Sequence, residues 1–269
     1  MKTPAFAPLL PPPPGKSPAN RSLERGILVL RAFRQGSALL GNGEIAERTG
    51  LSPATVSRLA QTLVGTGFLV HDRAARAYRL GAPVLSLAHA MRTGSQVLQV
   101  AAPLMRTLAE KLRINVGMAV ADGAEMVYLE SIRYNRKVSL RSVVSGQRVP
   151  MELTSLGRAH LAVLAAPQRE ALMQQFQARR AAEWPQLQAE IDAAVAQVLA
   201  EGFCTASWQP EVVALATPLV VAGQGVYVVN ASVATQEPLG RVAAVLLGPL
   251  LALAAQIALR LGSGVGPAG

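Results

Sequence analysis

The hydrophobic positions that follow residue 20 first repeat with the period of a helix. Leu23, Ile27 and Leu30 lie at i, i+4 and i+7, which places them on one helical face. Ser22 is a suitable N-cap, because its hydroxyl can accept a hydrogen bond from a free amide of the first turn. The pattern predicts a helix over about 22–33 and, after a Gly- and Asn-containing loop, a short second helix over about 44–49.

A third helix and a hairpin follow in the same stretch. Gly50 is suited to end the second helix in a left-handed conformation, and Ser52 and Pro53 are suited to begin the third. The residues expected to face inward from this helix are Val56, Leu59, Ala60 and Leu63. Two short strands over about 68–70 and 77–80 complete the order helix, helix, tight turn, helix, hairpin. This order predicts a winged helix-turn-helix over residues 21–82.

The pattern is helical again from Gly81 to about Leu112, with breaks expected at Gly94 and Pro103. We interpret this stretch as a linker helix over 83–94 and the first helix of a second domain over 95–262. The strands predicted for that domain are 116–120, 127–132, 138–143, 212–217 and 226–233. The helices predicted for it are 155–165, 168–180, 185–200 and 238–261. The fold class expected is therefore α+β, with helices packed on one antiparallel sheet.

The distribution of charge separates the two predicted domains. Residues 1–92 contain 12 basic and 4 acidic side chains, whereas residues 93–269 contain 14 and 12. A basic excess confined to one small module is expected when that module binds a polyanion. A membrane surface would instead call for a basic amphipathic helix with bulky apolar residues, which this region lacks. Residues 1–20, rich in proline, and residues 263–269 are predicted to be tails.

Several classes of protein are excluded by composition. A single cysteine, Cys204, rules out a disulfide framework and a thiolate metal site and fits a reducing cytoplasm. The longest apolar run, 242–255, has 14 residues and contains a proline, whereas a membrane span needs about 18 or more. His71, His89 and His160 show no metal-ligand spacing, and no catalytic motif is present. We therefore expect no enzyme, no metal, no cofactor and no membrane partner.

Six short motifs, taken in order, resemble those of the IclR family of bacterial transcription regulators. They are Ser22–Ile27, Glu44–Ser52, Ala54–Leu59, Tyr78–Gly81, Asp122–Gly123 with Met126–Glu130, and Leu156–Ala159. The resemblance covers about residues 21–262. It implies an N-terminal winged helix-turn-helix, a C-terminal GAF-like effector domain that senses a small molecule, and a dimer or tetramer on double-stranded operator DNA.

The outward face of the third helix carries the residues expected to contact DNA. Arg58 is a candidate for bidentate contact with guanine and Gln61 for contact with adenine, each contributing about 1–3 kcal/mol of discrimination. The short hydroxyl donors better suited to phosphate oxygens are Ser52, Thr55 and Ser57. Ala54 is a small residue on the same side of the helix. The hairpin adds Arg73, Arg76 and Arg79 as candidates for phosphate or a narrow minor groove. The alternative for each arginine is an ordinary solvated side chain.

The predicted helix near residue 155 is the best candidate for binding an effector. Thr154 or Ser155 is expected to cap it, which would leave amides of Leu156, Gly157 and Arg158 free to bind a carboxylate. Arg158 is expected to add a bidentate contact. The alternative is a packing glycine and a solvated arginine.

The resemblance adds the partners of this helix. It implies an effector pocket between the helix start and the sheet, with Asn230 and Ser232 pointing to one side of a strand and with Met151, Leu153 and Leu156 as apolar walls. With Asn230 in place of serine at this position, the chain resembles family members that sense aromatic acids more than those that sense glyoxylate. The segment 204–207 and Val213 depart from the family pattern, so one polar wall is expected to differ. Cys204 is expected to be a small buried residue.

These observations predict a cytoplasmic transcription regulator whose DNA affinity responds to a small organic acid, with repression the commoner outcome in the family. The alternative is a constitutive or nucleoid-type DNA binder whose second domain only oligomerises.

Overall fold

The computed structural model describes residues 20–134, 144–209 and 211–262. The chain divides into two compact units, and the boundary falls between Gly94 and Ser95. The predicted strand over 138–143 and almost all of the two predicted tails lie outside the described residues.

The first unit is a three-helix core with a small antiparallel sheet and one further helix. Its elements are α1 Arg21–Arg31, β1 Leu40–Gly41, α2 Asn42–Thr49, α3 Pro53–Gly65, β2 Leu69–Asp72, β3 Ala77–Leu80 and α4 Ala82–Thr93. The strand order is β1-β3-β2. The sequence did not predict β1, whose two residues pair with Tyr78 and Ala77 of β3.

Local capping explains where the helices of this unit begin and end. Asn20, not Ser22, caps α1, because its side-chain oxygen accepts from the amides of Ser22 and Leu23 at 3.1 Å each. Gly50 ends α2 with a φ of 70°, as predicted. Ser52 caps α3, and Pro53 occupies its first position. The apolar faces then pack around Val29, Leu40, Ile45, Val56, Ala60, Leu69 and Tyr78.

The second unit is built on one antiparallel sheet. Its helices are α5 Gln96–Leu112, α6 Ser155–Ala162, α7 Ala166–Arg179, α8 Trp184–Glu201 and α9 Leu239–Arg260. Its strands are β4 Asn115–Asp122, β5 Glu125–Arg133, β6 Arg148–Pro150, β7 Cys204–Ala206, β8 Val212–Val221 and β9 Gly225–Ala234. Within the described part of the chain, the strand order is β6-β5-β4-β9-β8-β7. The short edge strands β6 and β7 were not predicted.

One face of this sheet is covered by α5 and α9. Side chains such as Met105 of α5 and Leu250 of α9 join Val116, Leu215 and Val229 of the sheet in one apolar cluster. The expected break at Pro103 is wrong, because α5 runs through this proline without interruption. By length and composition α9 could span a membrane, but its buried face, which includes Leu246, Leu250 and Ile257, packs into this cluster, so it is a core helix of the unit.

The opposite face of the sheet is covered by α6. Cys204 of β7 donates from its sulfur to the carbonyl oxygen of Ser155, at the start of α6, over 3.4 Å. All eight residues of α6 are buried, because the helix also packs against α8. The sheet therefore has two covered faces, and the start of α6 lies over the one that carries the side chain of Cys204.

Candidate nucleic-acid interface and candidate effector site

The candidate DNA-binding residues of α3 lie opposite its buried face. Val56 and Ala60 are fully buried, whereas Ser52, Ala54, Arg58 and Gln61 are exposed and Thr55 and Ser57 are half-buried. Neither Arg58 nor Gln61 has a side-chain hydrogen bond or ion pair with another described residue. Because an arginine presents five N–H donors and no acceptor, Arg58 offers its whole guanidinium to an external ligand.

The hydroxyl groups at the start of α3 are already partly used. Ser52 Oγ accepts from the amide of Thr55 at 3.3 Å, and it lies 2.9 Å from Thr55 Oγ1. One of the two hydroxyl protons makes the bond between these side chains, so only one is left for a phosphate oxygen. Ser52 thus fixes the start of the helix in addition to any contact with DNA.

The hairpin of β2 and β3 forms the wing. Asp72 Oδ1 accepts from the amide of Ala75 at 3.0 Å and holds the turn, while Arg76 has a φ of 50°, a left-handed conformation that is uncommon outside glycine. Arg73, Arg76 and Arg79 are all exposed. No described residue pairs with any of the three guanidinium groups. Between residues 50 and 80, Asp72 is the sole acidic residue, so this surface is strongly positive.

Helix α6 begins with a buried cap. Thr154 Oγ1 accepts from the amide of Gly157 at 3.2 Å and donates to the carbonyl oxygen of Pro150 at 2.9 Å. The amide of Arg158 donates to the carbonyl of Thr154 at 3.0 Å. The expectation that the amides of Gly157 and Arg158 are free for a carboxylate is therefore wrong, because the cap and the first helical bond use them.

Gly157 is a packing residue in this structure. A Cβ at this position would lie 2.0 Å from the carbonyl oxygen of Met151 and 2.4 Å from its Cα. Such distances are far inside van der Waals contact, and they involve backbone that a rotamer change cannot move. The absent side chain thus makes room for the chain at Met151 and not for a ligand.

Arg158 is neither solvated nor free to clamp a carboxylate. Its Nε donates to the carbonyl oxygen of Glu152 at 3.1 Å, and its Nη2 donates to Glu190 Oε2 of α8 at 2.8 Å. Its side chain is 9% exposed, and that of Glu190 is 46% exposed. The hydrogen bond from Arg158 lowers the pKa of Glu190. Arg158 therefore ties the start of α6 to α8.

Asn230 and Ser232 share one side of β9, as expected for residues two apart in a strand. Asn230 pairs with Gly117 of β4 and with Ala216 of β8. Asn230 is 4% exposed, and Ser232 is half-buried. Of the remaining predicted site residues, Met151, Ser155 and Leu156 are buried at or just before the start of α6, whereas Leu153 is half-buried.

Tyr128 of β5 was not predicted as a site residue, but its hydroxyl oxygen accepts from Asn230 Nδ2 at 3.4 Å. Burial raises the pKa of Tyr128 to about 12, because the phenolate is disfavoured in a dry environment. Tyr128 lies within one of the motifs that resemble the family, but the strand register that brings it to Asn230 is not visible in the sequence.

The described titratable groups elsewhere in this unit do not form a metal site. Within the described ranges, no cluster of three or more His, Cys, Asp or Glu residues is present. His160 of α6 is buried, and burial lowers its pKa to about 4. Cys204 is fully buried, as predicted, and burial raises the pKa of its thiol to about 12, so it is a thiol at neutral pH.

The winged helix-turn-helix carries Arg58 on its third helix and three more arginines on its wing, and no described residue pairs with any of them. Followed by a separate sheet unit, it defines a two-domain DNA-binding regulator as the class of protein. Residues 22–73 match the IclR helix-turn-helix domain, and residues 89–259 match the C-terminal domain of the bacterial transcriptional regulator IclR. The chain belongs to the IclR family. The predicted family and the predicted α+β fold class are both confirmed.

The relatives of this chain are transcriptional regulators. It is 33% identical over 177 residues to the regulator TsaQ1/TsaQ2 of Comamonas testosteroni, a match that covers 64% of this chain and 62% of that regulator. The aligned part thus spans less than two thirds of the relative's length. The expectation that the chain is not an enzyme is confirmed by such relatives.

Solved structures share the fold over most of the chain. An IclR family regulator from Brucella abortus has a TM-score of 0.82 and 32% identity, covering 90% of this chain and 92% of that one. An IclR homologue from Microbacterium hydrocarbonoxydans, crystallised with 4-hydroxybenzoate, has a TM-score of 0.66 and 22% identity, covering 90% and 99%. The second likeness concerns the fold alone.

Proposed function

We propose that this chain is a transcriptional regulator that binds operator DNA through α3 and the wing. The observation that carries the proposal is the face of α3 on which Arg58 and Gln61 are exposed. No described residue pairs with either side chain or with the three wing arginines. Arg58 and Gln61 are proposed to read bases. Ser52, Thr55 and Ser57 are proposed to contact phosphate, with Ala54 close to the DNA on the same side. The wing arginines Arg73, Arg76 and Arg79 are proposed to contact phosphate or the minor groove.

The test is a titration of the protein against labelled duplex from the upstream region of its own gene, with random duplex of equal length as the reference. Arg58→Ala is expected to weaken specific binding by about 2 kcal/mol and to relax preference at one base pair. Arg260→Ala, which removes the same charge from an exposed position of α9, is the matched control and should change neither. Equal weakening on both duplexes would make Arg58 a phosphate contact.

We propose further that the second unit binds a small organic acid between the start of α6 and the sheet. The residues proposed to line this site are Met151, Ser155, Leu156, Asn230 and Ser232, with Gly157 and Arg158 shaping the helix start. The 4-hydroxybenzoate complex of a protein with the same fold supports an aromatic acid. Because Arg158 is paired with Glu190, a carboxylate that used its guanidinium would have to compete with that ion pair.

The family suggests that the acid changes operator binding and that repression relieved by the acid is the mode of control in a bacterial cytoplasm. The alternative is a constitutive DNA binder. A ligand at 100 times its dissociation constant should stabilise the folded protein by about 2.7 kcal/mol. A panel of aliphatic and aromatic acids that changes neither thermal stability nor operator binding would favour the constitutive binder.

We also propose that the protein acts as a homo-oligomer, a dimer or a tetramer. Helix α4 supports this, because it has no buried residue and exposes Leu85, Leu87 and Met91 by 75, 60 and 50%. Exposed large apolar side chains on one helix are unfavourable in water unless a partner covers them. Light scattering coupled to gel filtration measures the oligomeric state. A monomer at micromolar concentration would contradict the proposal.

A further inference from the structure

Tyr128 and Asn230 form a buried polar pair with unused hydrogen-bonding capacity. Asn230 Nδ2 donates to the hydroxyl oxygen of Tyr128, so the hydroxyl proton of Tyr128 remains, and the described residues offer it no acceptor. Asn230 Oδ1 is buried and has no hydrogen-bond partner among the described residues. Buried polar atoms are rarely left unpaired in native proteins, so this pair calls for an explanation.

Gly117 provides the space in which the pair lies. A Cβ at position 117 would be 2.4 Å from Asn230 Oδ1 and 2.5 Å from Cε1 of Tyr128. Any residue other than glycine at position 117 would displace both side chains. Three strands, β4, β5 and β9, therefore each contribute one residue to the arrangement.

The pair faces the candidate effector site and not the apolar cluster under α5 and α9. Asn230 is directly opposite Ala216, and Ala216 is directly opposite Cys204. Residues opposite each other in neighbouring strands have side chains on the same face. The sulfur of Cys204 reaches Ser155 at the start of α6, so Asn230 lies on the face that α6 covers.

The groups of this pair that lack a hydrogen-bond partner among the described residues are one acceptor, Asn230 Oδ1, and one donor, the hydroxyl group of Tyr128. A hydroxyl group matches them, because it can donate to Asn230 Oδ1 and accept from Tyr128 at the same time. A carboxylate has no proton for Asn230 Oδ1, and an ammonium group has no lone pair for Tyr128. Of these common polar groups, the hydroxyl alone satisfies both.

We infer that the side-by-side acceptor of Asn230 and donor of Tyr128, seated over Gly117, bind a hydroxyl group of the effector, which makes the effector a hydroxylated organic acid. The inference rests on the proposed effector function and deepens it. The raised pKa of Tyr128 is consistent with it, because a phenol that stays protonated remains a donor across the physiological range.

The experiment compares acids that differ by one hydroxyl group. Calorimetric titrations use benzoate with 4-hydroxybenzoate and butanoate with 4-hydroxybutanoate, and 4-methoxybenzoate serves as a probe that accepts but does not donate. In at least one pair, the wild-type protein is expected to bind the hydroxy acid about tenfold more tightly than the parent acid, because a site with buried polar groups rejects the analogue that leaves them unpaired.

Tyr128→Phe and Asn230→Ala are expected to bring that ratio to within about twofold while the parent acid still binds. Tyr128→Phe removes one atom and keeps the ring, so it decides the matter even if Asn230→Ala fails to fold. Tyr227→Phe is the matched control, because Tyr227 is half-buried on the same strand as Asn230 and packs against the opposite cluster. This variant should keep the full preference.

The outcomes separate the inference from the proposed function. If acids bind but the wild type shows no hydroxyl preference, or if Tyr128→Phe retains it, the inference is overturned and the effector function stands. If no acid of either series binds and none changes operator binding, the proposed effector function is overturned and the inference with it.

Discussion

The two candidate sites differ in how far the chain itself satisfies their side chains. On α3 and the wing, the guanidinium groups and Gln61 are exposed and no described residue pairs with them. At the start of α6, Arg158 donates hydrogen bonds to Glu190 and to the carbonyl oxygen of Glu152. The backbone of Met151 occupies the space beside Gly157, and Thr154 caps the helix. The first site is an exposed surface whose polar side chains have no partner among the described residues. The second is a buried site whose polar groups are largely hydrogen-bonded within the protein.

This difference decides what a substitution can be expected to change. Removing an exposed, unpaired side chain affects the external ligand and leaves folding almost unchanged. Removing a buried, paired side chain costs stability whether or not a ligand binds, because its partners are left unsatisfied. A loss of effector response in a variant of α6 is therefore interpretable only beside a measurement of its stability.

The largest expected effect is at Gly157. Gly157→Ala should lower the free energy of unfolding by about 3 kcal/mol, because the new methyl group overlaps the backbone of Met151 and forces one of the two segments to move. Denaturant unfolding followed by circular dichroism measures it. Gly240→Ala is the control, since a Cβ there meets nothing within 4 Å. Equal stability of the two variants would mean that Met151 yields easily.

Arg158 and Arg58 give the direct test of the comparison. Arg158→Ala should lower the free energy of unfolding by about 2 kcal/mol, because it removes a charge-assisted bond to Glu190 and leaves the carbonyl of Glu152 without its donor. Arg58→Ala should change it by less than about 0.5 kcal/mol. The same unfolding measurement serves for both. Should the two variants lose similar stability, the distinction between an unpaired surface and a paired interior would fail.

The smallest effect is a dependence of stability on pH that comes from His160. Its pKa is about 4 in the folded protein, whereas the ordinary value, which the unfolded chain is expected to show, is 6.5. Between these values the unfolded chain binds a proton that the folded protein does not. Stability is therefore full above pH 6.5 and declines as the pH falls towards 4. Between pH 7 and pH 5.5 the loss is about 1 kcal/mol.

His160→Gln should remove this part of the pH dependence, whatever it does to stability at pH 7. Unfolding midpoints in denaturant at the two pH values, compared for each protein, measure the effect. His89→Gln is the control, because His89 is exposed on α4. An unchanged pH dependence in His160→Gln would show that the imidazole is hydrated or paired in solution.

The sequence was most informative where structure is determined locally. Ser52 and Pro53 begin α3 and Gly50 ends α2 as predicted, because capping depends on residues within one turn. The helical period then identified the exposed face of α3. Asn20 was missed because Asn and Ser are both good caps and the sequence does not show which of the two starts the helix.

Features that depend on distant residues could not be predicted. β1, β6 and β7 have two or three residues each, too few to show alternation, and they exist because a neighbouring strand pairs with them. Pro103 was expected to break α5, but packing against the sheet outweighs the lost hydrogen bond. Arg158 meets Glu190 across 32 positions of the sequence, so neither its burial nor its partner follows from its neighbours.

The pairing at the centre of the large sheet bears on how the two units form during synthesis. The first unit closes its sheet with β3, which ends at Leu80, whereas β4 pairs on one side with β9, so that Asn115 meets Ser232. Closing so long a loop is entropically costly and slows folding. During translation the whole wing is therefore synthesised long before β9, the second strand that pairs with β4. We expect the first unit to fold first. The second unit is expected to complete its sheet only after β9 has been synthesised, and until then one edge of β4 is unpaired.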